Sequence, residues 1–161
     1  MTSVAKPAGD SSPLIVEGAL IIPYSYALGT VASRFYTELR DHARLLATRC
    51  STCGKVYMPP VATCLDCFSL LTDWTQLATR GTVTAYTVER RQLSIHPKPA
   101  PLIYAIVRLD GADTGLVHLL DGVRPEDVRI GMKVQAVFRE KREGNILDID
   151  HFEPLPGRGA S

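Results

Sequence analysis

All four cysteines of this chain lie in one frame: Cys50-x-x-Cys53, ten residues, then Cys64-x-x-Cys67. Each Cys-x-x-Cys can turn into a tight knuckle whose backbone N–H groups point at thiolate sulfur. Two knuckles at this range close four thiolates around one soft-to-borderline cation, and Zn2+ is the expected occupant. A site built from Cys50, Cys53, Cys64 and Cys67 has no open coordination position, so one zinc there is structural and does not activate water. The metal matters because so short a segment buries too little apolar surface to fold alone.

Other uses of the cysteines fit less well. Two disulfides require an oxidising compartment. The leading MTSVAKPAGDSSP has no basic stretch followed by an apolar one, so it does not read as a secretory signal. The apolar run Leu14 to Leu28 is broken by Glu17 and Pro23 and does not read as a membrane span. A cytoplasmic location is therefore expected, without a membrane partner. A thioredoxin-type pair uses one Cys-x-x-Cys, not two. Rubredoxin-type iron, for electron transfer, is the nearer rival because Cys53-Gly54 fits such a knuckle. Phe68 stands where the second knuckle of that pattern prefers Gly, and the gap between the knuckles is short for it.

Composition excludes more than it assigns. The chain carries 18 basic and 17 acidic residues in 161, a formal net charge of +1. That balance argues against a domain whose affinity rests on neutralising many phosphates. Apolar residues make up 45%, enough for an ordinary core.

The expected organisation is an N-terminal extension and helix over 1–45, a zinc ribbon over 46–79, a β-barrel over 80–155 and a tail over 156–161. Residues 1–13 are Ser-, Pro- and Gly-rich, which predicts flexibility. Val31, Phe35, Leu39 and His42 recur at helical spacing, with Thr30 as the expected N-cap. Arg44 to Thr48 reads as a strand entering the first knuckle. Pro59-Pro60 blocks helix between the knuckles. Trp74 is expected to pack the ribbon on the next domain. Strands are then expected at 81–88, 102–107, 116–120, 132–138 and 145–152. The apolar Leu102-Ile-Tyr-Ala-Ile-Val107 reads as buried on both faces, and Tyr86 and Tyr104, the only aromatics of the first two barrel strands, could both be core. Arg124-Pro-Glu-Asp-Val128 is a helical turn at most. Five short strands with that insert before the fourth predict a mainly β chain: N-terminal helix, four-cysteine rubredoxin-like zinc ribbon, five-stranded OB-fold barrel.

Several local features carry a resemblance: Cys50-Ser-Thr-Cys53-Gly54-Lys55, Pro59-Pro60, Cys64-Leu-Asp-Cys67, Gly81-Thr-Val-Thr84 and Ile130-Gly131-Met132-Lys133-Val134. Together with the element order they make the chain similar to a family of small zinc-ribbon/OB-fold proteins found beside thiolases and related acyl-CoA enzymes. Val61 and Leu65 stand where that family often has Arg and Pro. The run through Ile21-Ile22-Pro23-Tyr24 is similar to the small subunit of an aromatic acylsuccinyl-CoA thiolase. The resemblance implies a non-catalytic accessory subunit in a hetero-oligomer with a thiolase-fold catalytic subunit. The partner would supply the catalytic Cys and His, and the barrel would lie near its CoA channel.

The residues themselves agree with a non-catalytic role. His42, His96, His118 and His151 read as structural or surface histidines. No cysteine remains as a nucleophile once zinc is bound, and no Gly-rich phosphate loop or Gly-x-Ser-x-Gly occurs. One loop stands apart: Arg90, Arg91, His96 and Lys98 collect between the first two barrel strands. Its cations could meet the phosphates of CoA or acyl-CoA. The alternative class is nucleic-acid binding, since ribbons and OB barrels both occur there. Near-zero net charge and the lack of an aromatic array weigh against it.

Overall fold

Phe35 and Leu39, four residues apart, form the buried stripe of a helix, α1, spanning Gly29–His42. The structure, a computed structural model, describes residues 15–18, 20 and 22–155. The expected flexible start, the tail at 156–161, and Leu14, Ala19 and Ile21 of the apolar run therefore lie outside the described residues. The helix begins earlier than its periodicity indicated. Leu28 is its N-cap, with no side-chain cap bond, so Thr30 lies inside the first turn and caps nothing. Gly29 and Thr30 at its start are exposed, so water can serve their free N–H groups. His42 is exposed too, because Phe35 and Leu39 suffice to seat the helix.

At its far end Ala43 takes a left-handed conformation and donates its N–H to Leu39 O at 3.1 Å. The chain then enters β1, Leu45–Arg49, the centre of an antiparallel sheet with β2, Val56–Tyr57, and β3, Asp73–Leu77. The guanidinium of Arg34 lies 4.5 Å from the centroid of Trp74, so this half-buried indole is clamped between α1 and the β3 strand that carries it.

The remaining strands close on themselves. They are β4, Arg80–Glu89; β5, Leu102–Leu109; β6, Leu116–Leu120; β7, Lys133–Phe138; and β8, Ile149–Pro154. Their order round the barrel is β4-β5-β6-β8-β7, with β7 returning to β4. The β6–β8 contact is parallel, through Leu120 and Phe152. A bulge between Val83 and Ala85 bends the long β4 strand round the barrel. Gly81 permits the close approach of β4 and β5, since a Cβ there would sit 2.6 Å from Arg108 O.

The hydrophobic core runs through ribbon and barrel alike. Leu45, Ala47 and Met58 from the ribbon join Val83, Val107, Val134 and Phe152 from the barrel, with Phe35 and Leu39 above them. Hydrogen bonds fix the same junction. Val56 N–H donates to Asp113 Oδ2 at 2.8 Å, and Asp113 N–H returns to Val56 O at 2.9 Å. Met58 N–H donates to Thr114 Oγ1 at 2.7 Å, and that hydroxyl donates to Met58 O at 2.9 Å.

Three further expectations are corrected. β5 is not buried on both faces: Ile103, Ala105, Val107 and Leu109 point inward, while Ile106 is exposed and Tyr104 is half-buried. Tyr86 and Tyr104 are accordingly not core residues. The last strand starts at Ile149, not Asn145. Asn145 caps a 3-10 turn, Ile146–Asp148, and the buried Asp148 carboxylate gathers the N–H groups of Glu143, Gly144 and Asn145. Those side-chain bonds compete with strand pairing and win locally.

Candidate metal centre

The two knuckles repeat one hydrogen-bond pattern. In the first, Cys50 N–H donates to Lys55 O at 2.8 Å and Gly54 N–H to Cys50 O at 2.9 Å. In the second, Cys64 N–H donates to Ser69 O at 2.9 Å and Phe68 N–H to Cys64 O at 3.1 Å. The fifth residue of each turn is left-handed: Gly54 at φ 79° and Phe68 at φ 57°. Glycine adopts this freely; phenylalanine does not.

This geometry brings all four sulfurs within 4.8 Å of one another. Between the knuckles, Cys50 and Cys67 sulfurs lie 3.5 Å apart and Cys53 and Cys64 sulfurs 3.6 Å apart. Tetrahedral zinc with Zn–S bonds of about 2.3 Å requires sulfurs about 3.8 Å apart, so the cage fits with small adjustment. None of the four is in a disulfide. Cys50 and Cys64 are buried and Cys53 and Cys67 exposed, so the cage opens to solvent along one edge.

Neighbouring groups prepare the sulfurs. Ser69 Oγ lies 3.2 Å from Cys50 Sγ and 3.3 Å from Cys67 Sγ. That hydroxyl, then the Cys53 N–H, draw the Cys50 thiol down to about 5. The buried Tyr57 hydroxyl reaches Cys64 Sγ at 3.2 Å and accepts Leu65 N–H at 3.0 Å, and it lowers the Cys64 thiol. At Cys53 the Lys55 N–H works downward, but the sulfurs of Cys50, Cys64 and Cys67 and burial push the thiol up to about 12. The crowding of four sulfurs that raises Cys53 is what a bound divalent cation offsets, because all four ligate as thiolates. Neither Tyr57 nor Ser69 follows from cysteine spacing; their contacts arise from the fold of each knuckle.

The loop after β4 is arranged differently from the ribbon. Arg90 and Arg91 are exposed, and the Arg91 N–H donates to Glu89 Oε1 at 2.7 Å. His96 Nδ1 accepts Leu93 N–H at 3.3 Å within the loop. Lys98 Nζ is held by Asp121 at 3.0 Å and Asp150 at 2.9 Å. Asp150 also meets His151 at 2.7 Å and Arg139 at 3.3 Å. Lys98 thus pins the loop to β6 and β8. The buried His118 bonds Ile146 O through Nε2 at 3.1 Å, and burial lowers its pKa.

The outer face of β4, β5 and β6 was not legible as a surface in the sequence. Tyr86, Ile106 and Val117 are exposed there, beside the half-buried Tyr104. An alternation of exposed apolar with buried apolar residues looks the same as a fully buried strand. Ile95 on the loop and Leu147 extend this face.

Comparison with known proteins places both halves of this architecture. Residues 37–72 match the family model for the ChsH2 rubredoxin-like zinc ribbon domain, and residues 74–139 match that for the ChsH2 C-terminal OB-fold domain. Two relatives named DUF35 domain-containing scaffold protein are each 33% identical. The one from Methanocaldococcus jannaschii aligns over 68% of this chain and 78% of its own length. The one from Pyrococcus furiosus aligns over 76% and 92%. The chain belongs to the DUF35 (ChsH2) family. A solved chain titled Ltp2-ChsH2(DUF35) aldolase superposes on this DUF35 protein with a TM-score of 0.59 at 28% identity, covering 80% of this chain and 98% of that one. A DUF35 structure from Sulfolobus solfataricus, at 21% identity and a TM-score of 0.57, shows the same fold over 68% of this chain and 78% of that one. A Thermomonospora curvata protein named probable enoyl-CoA hydratase alpha subunit is 34% identical over 62% of this chain but only 31% of its own length. Among the described residues, no helix is long and apolar enough to cross a membrane.

Proposed function

We propose that this DUF35 protein is an accessory subunit of a thiolase-like acyl-CoA enzyme. It contributes assembly, and a surface beside the CoA entrance, to a hetero-oligomer in the cytoplasm. The observation that carries the proposal is the apolar outer face of β4–β6, with Tyr86, Ile106 and Val117 exposed on a barrel whose core is already filled. Such a face on an otherwise well-packed molecule is the mark of a partner surface. The relatives named as scaffolds and the solved Ltp2-ChsH2 aldolase support the same reading. The cysteines are committed to a closed metal cage, which leaves the nucleophile of an acyl transfer to the partner.

Within this reading Arg90, Arg91 and His96 offer positive and polar groups to a CoA phosphate, and Lys98 orients their loop through its two carboxylates. The test is co-expression with thiolase-fold proteins encoded in the same genome. A stable complex that turns over acyl-CoA, where the isolated chain does not, supports the proposal. Ile106→Lys with Val117→Glu should abolish that complex without changing the melting temperature of the free chain. Salt-sensitive retention on nucleic acid, with no such complex, would favour the other class.

A further inference from the structure

The two zinc knuckles serve as each other's control. They share the same backbone hydrogen bonds, and both put the fifth residue at positive φ. The first knuckle fills its turn with Ser51, Thr52 and Gly54. The second uses Leu65, Asp66 and Phe68. Metal geometry therefore does not require an aromatic residue at 68; it would be served better by glycine. A bulky residue held left-handed is strained, and strain of this kind persists where it serves function. Nor does packing within the chain explain Phe68, which is 79% exposed. Beside it in the sequence Leu65 is 66% and Leu70 75% exposed. Leu65 and Phe68 thus put two exposed apolar side chains on the turn of the second knuckle, and Leu70, bridged to Thr63, follows directly after it. The flank of the turn is electrically neutral, because Lys55 Nζ and Asp66 Oδ2 pair at 2.7 Å.

We propose that the second knuckle is an anchor, with Phe68 as its central side chain, seated in an apolar recess of the catalytic subunit. This rests on the accessory-subunit reading and adds to it a second contact, on a different module from the barrel face. The occupant is a protein partner. An exposed aromatic on a turn whose neighbouring charges are paired suits an apolar pocket with an uncharged rim, and relatives of this chain are named as scaffolds. Anchors of this type are aromatic, central and few.

The proposal makes two effects of one substitution point in opposite directions. Phe68→Gly relieves the left-handed strain, so the free, zinc-loaded chain should melt about 2–4 °C higher. The same change should weaken the complex with the catalytic subunit at least about tenfold. A benzoyl-phenylalanine photoprobe at position 68 should crosslink to that subunit. Unchanged affinity of Phe68→Gly, or a probe that crosslinks elsewhere, would overturn the anchor and leave the accessory-subunit reading standing. A Phe68→Gly chain that melts lower would give Phe68 a structural role and also overturn it. If the folded, zinc-loaded wild-type chain binds no thiolase-fold subunit, both readings fall. Self-association of the wild-type chain that Phe68→Gly abolishes would make a second copy the occupant, against the proposal.

Discussion

At the scale of residues, Tyr57 shows how a side chain outside the cysteine frame governs the frame. Its hydroxyl donates to Cys64 Sγ and accepts from Leu65 N–H, both at the buried side of the cage. Tyr57→Phe removes both bonds while keeping the ring. Competition against a chromophoric chelator should show zinc held about 10–100-fold less tightly. Cys64→Ser removes a buried ligand outright, and elemental analysis should then find far less than one zinc per chain. The ligands were legible because chelation dictates their spacing. Tyr57 and Ser69 were not, because any polar residue near a knuckle looks alike until the backbone aims it.

At the scale of elements, two connections hold more structure than their sequences announced. The turn before β8 is organised round Asp148, whose buried carboxylate accepts three backbone N–H groups. Asp148→Ala leaves those donors without partners and should lower stability by about 2–3 kcal/mol or more, read from the urea midpoint. The 90–101 loop is organised round Lys98. Its hydrogen bond first, then those of His151 and Arg139, hold the Asp150 carboxyl far below the usual carboxylate range, and it also lowers Asp121. Burial works against the Lys98 ammonium, but the two carboxylates outweigh it and raise its pKa. Depressed carboxylates stabilise the fold above their unfolded pKa of about 4, and that stability is lost as pH falls below it. A raised lysine stabilises below about pH 10 and loses its contribution above. Lys98→Met should therefore cost a constant amount of stability between about pH 5 and 9, with the cost shrinking at both extremes. Denaturation midpoints across that range check it. The sequence showed the cations of this loop; it did not show Asp121, just past the end of β6, and Asp150 of β8, which the fold brings to it. Strand positions were legible from β-branched and apolar runs. Inward and outward faces were not, because β5 and β6 are apolar on both.

At the scale of the whole molecule, the chain has two cores of unequal self-sufficiency. The large one spans α1, ribbon sheet and barrel; the small one, Cys50, Tyr57, Cys64 and Leu71, sits under the knuckles. Four buried residues cannot hold a fold without further support. Stripping the metal should expose amides of residues 50–55 and 63–71 to hydrogen exchange within the first time points. Amides of β5 should stay protected, because their partners lie in the other core. Equal loss in both regions would mean the two cores melt as one.

The junction between ribbon and barrel has one further consequence. Val56 and Met58, two residues apart in the ribbon, are fastened to the adjacent Asp113 and Thr114 of the β5–β6 turn by reciprocal bonds. A plate fixed by one pin swings; a plate fixed by two keeps its heading. Torque applied at the knuckles is therefore delivered to the barrel wall instead of being lost in a swivel. The span from zinc to the β4–β6 face is a property of the chain itself, and two bodies gripping its ends would be held at a set distance and a set angle.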